Sequence, residues 1–60
     1  MKITLTDQQH ATIYSGVGVV VDGWQLRRVV QYEAVRVETG ETYTEGSLYN
    51  VLAEVERRTA

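Results

Sequence analysis

Sixty residues are enough for one domain, and six basic against eight acidic residues leave a net charge of −2. This balance excludes the strongly basic footprint of a typical nucleic-acid-binding domain, and the lack of cysteine excludes disulfides and thiolate zinc sites. A domain this small is expected to be stable by only about 3–5 kcal/mol. Packing, helped by self-association, must therefore supply its stability.

The longest apolar stretch, residues 16–21, is far short of a membrane span, which needs about 20 residues. Residues 1–7 lack the apolar core of a secretory signal peptide. We therefore expect a cytoplasmic protein with no membrane partner.

Residues 2–6 alternate apolar and polar side chains, which predicts a short first strand followed by a turn. A helix beginning at Asp7 is the alternative, because Thr6 and Gln9 have the spacing of a capping box. The turn is preferred, since residues 11–14 include β-branched and aromatic types that favour strands.

Residues 11–21 are rich in valine and other strand formers, and they predict the second strand. Gly16 and Gly18 interrupt this segment, and a bulge is expected there. The pair also looks like a fragment of a phosphate-binding loop, but a valine run follows where a helix should begin. No cofactor site is therefore predicted.

Asp22-Gly23 lies between two apolar runs, the pattern typical of a two-residue hairpin turn of type I′. Pairing outward from this turn predicts three apolar rungs of the ladder: Val21 with Trp24, Val19 with Leu26, and Ile13 with Tyr32.

Residues 24–37 are predicted as the third strand. A bulge is expected near Ala34, because the apolar residues before and after this point fall on opposite faces of a regular strand. Helical spacing of Leu26, Val30, Ala34 and Val37 gives an alternative. The many valines of the segment favour the strand.

Residues 41–44 predict a fourth strand after a turn at Gly40. Residues 47–58 predict an amphipathic helix capped by Ser47, with an apolar stripe at helical spacing: Leu48, Val51, Leu52 and Val55. The fold class is therefore α+β, a small antiparallel sheet of three to four strands (2–6, 11–21, 24–37, 41–44) packed by one C-terminal helix.

Chemistry-bearing residues are few. His10 with Asp7 supplies at most two metal ligands, and neither Ser15 nor Ser47 lies in a nucleophile motif. We expect no catalytic residue, no metal site, no cofactor and no enzymatic activity.

Arginines and aromatic residues, the types enriched in interfaces, suggest a surface for binding. On the hairpin this surface comprises Trp24, Arg27 and Arg28, and on the polar side of the helix it comprises Tyr49, Glu56 and Arg57. An acidic flank begins at Glu33.

The leading hypothesis is a non-enzymatic protein-interaction or regulatory module, such as a small accessory protein of a phage or mobile element. The alternative is a nucleic-acid-binding domain that uses the sheet face with Arg27, Arg28 and Arg36. A homodimer formed through the valine-rich hairpin is also expected, since an open sheet edge invites strand pairing.

Overall fold

The helices and strands run in the order α1 (Asp7–Tyr14), β1 (Val19–Val21), β2 (Trp24–Arg28), β3 (Tyr32–Arg36), β4 (Thr42–Glu45) and α2 (Leu48–Thr59). The computed structural model describes residues 3–59 of the chain. Its strands form one antiparallel sheet in the order β1-β2-β3-β4. The α+β class, the antiparallel sheet and the C-terminal helix are confirmed, and a short N-terminal helix is added.

Both helices pack against the same face of the sheet. Trp24 and Leu26 of β2 share this inner face, since alternate strand residues point the same way, and both are buried. Ile13 of α1 meets them there, together with Val51 and Val55 of α2. Within residues 3–59 the outer face of the sheet has no helix against it. The protein is thus a two-layer structure with one sheet face open.

The predicted first strand, 2–6, is wrong over residues 3–6, and of the predicted second strand, 11–21, only residues 19–21 are in a strand. Residues 3–6 are not in a strand, and residue 2 lies outside the described residues. The capping box is present instead: the Gln9 amide donates to Thr6 Oγ1 at 3.1 Å, and the Thr6 amide donates to Gln9 Oε1 at 2.8 Å. These bonds satisfy backbone donors at the helix N-terminus, and this outweighs the modest strand preference of residues 11–14.

The hairpin at Asp22-Gly23 is confirmed. Both residues have positive φ, 50° and 82°, as a type I′ turn requires. Val21 pairs with Trp24 and Val19 with Leu26. Further from the turn, the predicted rung between Ile13 and Tyr32 is wrong, because Ile13 lies in α1.

The segment predicted as one strand, 24–37, forms two strands joined by a bend at residues 29–31. The Val29 amide donates to the carbonyl of Gln31 at 2.8 Å, which reverses the chain. Ala34 then pairs with Leu26 instead of forming a bulge. The prediction of strand for this segment is thus correct, but the prediction of a single unbroken strand is wrong.

The C-terminal helix matches its prediction closely. Ser47 Oγ accepts a hydrogen bond from the Asn50 amide at 3.2 Å, so Ser47 caps the helix. The Val51 and Val55 side chains are fully buried, and Leu48 and Leu52 pack half-buried against the same core. The apolar stripe therefore covers the inner face of β3 and β4.

Candidate interaction surface

Trp24 does not lie on the surface where the sequence interpretation placed it. Its side chain is only 1% exposed, and its ring contacts Tyr43 with 5.7 Å between the ring centroids. The reason is its register: Trp24 shares the inner face with Leu26, two residues further along β2. Trp24 is therefore a core residue and not an exposed surface residue.

Arg27 lies on the outer face of the sheet, opposite Glu33 of β3. Its Nη2 atom is 3.0 Å from Glu33 Oε1, and the two side chains form a cross-strand ion pair. Partly exposed pairs of this kind contribute only about 0–1 kcal/mol. The main effect of the pair is therefore that Glu33 offsets the charge of Arg27, and its contribution to the stability of the sheet is small.

Arg28 points to the opposite, inner face and joins β2 to the end of α1. Its Nε donates to the carbonyl of Tyr14 at 2.7 Å, and its Cζ atom lies 4.1 Å from the centroid of the Tyr14 ring. The carbonyl at a helix C-terminus carries partial negative charge, so a cation is favourable there. Arg28 thus fixes the position of α1 on the sheet.

Arg36 also lies on the inner face, where it pairs with Trp24 across the two strands. Its Nη2 donates to the Arg58 carbonyl at 3.1 Å, and its Nε lies 3.1 Å from Glu41 Oε1. The three arginines of the nucleic-acid hypothesis are therefore divided between two sheet faces. Each already has a polar partner within the chain.

Tyr49 and Glu56, the predicted residues on α2, lie on the same side of the helix beside the N-terminal segment. With Ile3, Leu52 and Ala53 they line a shallow cavity of about 250 Å³. Tyr49 is 81% exposed, whereas a Glu56 oxygen accepts a hydrogen bond from the Ile3 amide at 2.7 Å. Tyr49 is thus available to a partner, and Glu56 holds the N-terminal segment against α2.

Arg57, the last of the predicted surface residues, is engaged with Glu54. Glu54 also binds Arg58, whose Nε lies 2.9 Å from its Oε1. The hydrogen bond from Arg58, helped by that from Arg57, holds the pKa of Glu54 below its usual value, against the opposing effect of desolvation. This cluster buries a carboxylate that nevertheless stays charged.

The same cluster reaches from α2 to β4. The Arg58 guanidinium lies over the Tyr43 ring, with 4.9 Å from Cζ to the centroid. The Tyr43 hydroxyl donates to Glu41, and this hydrogen bond is the main reason that the pKa of Tyr43 is raised. These contacts fix the C-terminal half of α2 on the sheet.

The sequence analysis missed a group of exposed apolar side chains at one end of the sheet. The chain enters β1 and leaves β2 at this end, where the Arg28 contact with Tyr14 also lies. The exposed fractions are 61% for Tyr14, 60% for Val17, 54% for Val29 and 98% for Val30. We call these four residues the valine end. Val29 and Val30 are adjacent in the sequence, but the prediction of one continuous strand over residues 24–37 gave no reason to expect both side chains to be exposed.

The opposite end of the sheet is charged. It holds the hairpin turn, the β3–β4 turn and the end of α2, which surround a cavity of about 420 Å³ lined by Trp24, Arg36 and Val37 together with Asp22 and Glu38. Arg36 and Glu41 form their ion pair beside it. The two ends of the sheet therefore differ: exposed apolar side chains predominate at the valine end, and charged side chains line the cavity at the other.

His10 and Ser15, the remaining chemistry-bearing residues, belong to α1 and its end. His10 is exposed, and Ser15 Oγ donates to the Thr12 carbonyl at 2.7 Å. Among residues 3–59 no three histidine or acidic side chains come together as metal ligands. In that same part of the chain, no helix has the length and apolarity needed to cross a bilayer.

Comparisons with known proteins identify no relative. No family model matches the chain, and searches of curated proteins and of solved structures found no significant similarity.

Proposed function

We propose that this protein is a non-enzymatic protein-interaction module that binds a partner protein through the valine end. The observation that carries the proposal is the exposure of Tyr14, Val17, Val29 and Val30 together at one end of the sheet. Scattered surface valines are ordinary, but exposed apolar side chains grouped at one end of a small domain are typical of binding surfaces. None of the four carries a charge, so the partner should present a mainly apolar surface.

The construction of this end supports the proposal. Arg28 ties the end of α1 to the end of β2 through its hydrogen bond and its contact with Tyr14. Gly16 approaches this strand end closely, since a Cβ atom built on it would lie 3.4 Å from the Arg28 carbonyl. The apolar side chains are therefore displayed on a braced framework, and a rigid surface loses less entropy on binding.

The experiment uses three immobilised baits in an extract of the source cells: the parent chain, Val30→Asp and Val37→Asp. Val37 is 61% exposed at the charged end of the sheet, so it is a matched control for Val30. The expected result is a protein retained by the parent and by Val37→Asp but not by Val30→Asp. With the purified partner, calorimetry should show binding at least about tenfold weaker for Val30→Asp.

If all three baits retained the protein equally, the partner would bind a surface other than the valine end. If no bait retained a protein, the result would count against an interaction module. Circular dichroism of Val30→Asp should match the parent, because a side chain that is 98% exposed contributes little to the fold.

Nucleic-acid binding through Arg27, Arg28 and Arg36 is the alternative function. It has less support, because the inner face holds Arg28 and Arg36 while the outer face holds Arg27, paired with Glu33. It predicts binding to DNA or RNA that weakens steeply as salt is raised.

A further inference from the structure

β1 is an edge strand with one open side. It pairs only with β2, through Val19 with Leu26, Val20 with Gln25, and Val21 with Trp24. In a two-residue hairpin the pair beside the turn is hydrogen-bonded, and bonded and non-bonded pairs then alternate. Val20 therefore directs its amide and carbonyl away from β2. Within residues 3–59 no other segment hydrogen-bonds to them.

In the described part of the chain, shortness is the only common protection against strand pairing that this edge shows. Residues 15–21 contain no charge and no proline, although charges and prolines commonly protect exposed edges. The Val20 side chain is 62% exposed on the outer face. The other edge strand, β4, ends in Glu45 and follows Glu41. Of the two edges, β1 is the one suited to accept a further strand.

We infer that β1 pairs with β1 of a second copy of this chain, antiparallel about a two-fold axis at Val20. In this register Val20 faces Val20 of the other copy, and Val19 faces Val21. Every rung joins two valines, a β-branched residue type that is enriched in strands. The two Val20 amides bond to the two Val20 carbonyls, so the same groups are satisfied on both copies.

The distribution of charge favours a second copy as the occupant. Five of the eight acids belong to the β3–β4 turn, β4 and α2, on the far side of the sheet from β1: Glu38, Glu41, Glu45, Glu54 and Glu56. Pairing through β1 therefore joins two uncharged edges and keeps the acidic sides apart. The product is a continuous eight-stranded sheet with closed two-fold symmetry.

The predicted association is weak. Stable dimers bury about 1,200–2,000 Å² of surface, and a three-residue strand pair buries less. Dimerisation should therefore appear only at roughly 10 µM to 1 mM chain concentration. This surface differs from the valine end, so the inference does not depend on the proposed function.

The test is sedimentation velocity of the full chain over a dilution series up to about 1 mM. The parent should shift from monomer to dimer. Val20→Lys should weaken dimerisation by at least about tenfold, because two like charges would meet at the axis. Val37→Lys, which alters a similarly exposed valine away from the edge, should dimerise like the parent.

A second variant removes only the hydrogen bond. A chain of 60 residues is accessible to chemical synthesis, and N-methylation of the Val20 amide would remove a donor that the folded copy does not use. Loss of the dimer in both variants, with native near-ultraviolet dichroism of Trp24, is the expected result. A parent that stays monomeric at about 1 mM, or a dimer that survives N-methylation, would overturn the inference. Val30→Asp should dimerise normally, which separates this result from failure of the valine end.

Discussion

The guanidinium of Arg36 lies over the indole ring of Trp24, with its Cζ atom 4.6 Å from the ring centroid. Tyr43 contacts the same ring, and Trp24 is nearly completely buried. A buried aromatic ring under a cation gains both from its burial and from the cation–π contact. Because Trp24 is the one tryptophan of the sequence, its fluorescence reports the state of this contact.

Replacing Trp24 by alanine should unfold the domain. Loss of a buried tryptophan costs about 3–5 kcal/mol, which equals the whole stability of about 3–5 kcal/mol expected at this size. Far-ultraviolet circular dichroism should show a disordered chain at 25 °C. Trp24→Phe keeps an aromatic ring and should still melt cooperatively. A Trp24→Ala variant that melts like the parent would contradict the placement of this ring.

Two substitutions on α2 should differ sharply in their effects. Val55→Ala removes two fully buried methyl groups and should cost about 1–3 kcal/mol, at about 0.5–1.5 each. Tyr49→Ala truncates an exposed side chain on the same helix and should change stability by less than about 0.5 kcal/mol. Urea denaturation measures both. Equal destabilisation by the two variants would show that α2 packs by another face.

Stability should fall in acid partly through Glu54. Its pKa in the folded protein is below the ordinary value of 4.5 because Arg58 and Arg57 bind the charged carboxylate. A lowered folded pKa gives stability that is complete above the unfolded value and is lost as pH falls through the folded value. In urea midpoints, the gap between the parent and Glu54→Gln should therefore be largest near neutral pH and shrink below pH 4.5.

Glu38→Gln is the control for this measurement, because it removes an exposed carboxylate outside the Glu54 cluster. It should shift stability at neutral pH by less than about 0.5 kcal/mol. If the difference in urea midpoint between the parent and Glu54→Gln stayed constant down to pH 3, Glu54 would not be a source of the acid sensitivity.

Two glycines should respond oppositely to alanine. Gly23 has φ of 82° with nothing near its Cβ position, so the strain of Gly23→Ala comes from the backbone alone and should cost about 1–2 kcal/mol. Gly46 has open space and no left-handed φ, so Gly46→Ala should be neutral or stabilising by up to about 1 kcal/mol. Thermal melts of both variants check this. If Gly46→Ala were destabilised and Gly23→Ala unchanged, the assignment of the left-handed turn position to Gly23 would be contradicted.

The features that the sequence predicted correctly are those fixed by local chemistry. Asp22-Gly23 specifies a type I′ turn, and the turn then fixes the pairing of Val21 with Trp24. The stripe through Val51 and Val55 specifies which side of α2 is buried. Each signal lies within a few residues, so no knowledge of the remaining chain is needed.

The candidate surface could be predicted only in part. Alternation along β2 already implied that Trp24 and Leu26 share a face, but not that both helices would cover that face. Alternation likewise separates Arg27 from Arg28, which the nucleic-acid hypothesis placed together. Tyr49 could be placed from helical periodicity alone, since it falls outside the apolar stripe.

What the sequence by itself determined is therefore the hairpin turn, its register and the buried stripe of α2, because these follow from backbone sterics and helical periodicity. The tertiary structure decided between helix and strand at residues 7–14. The Thr6 capping box is a local signal for the helix, and the burial of Ile13 in the core decided in its favour over weak strand propensities. The tertiary structure also decided the bend at residues 29–31. Valines favour strands, but Ala34 can pair with Leu26 only if the chain reverses there, and this reversal leaves Val30 exposed.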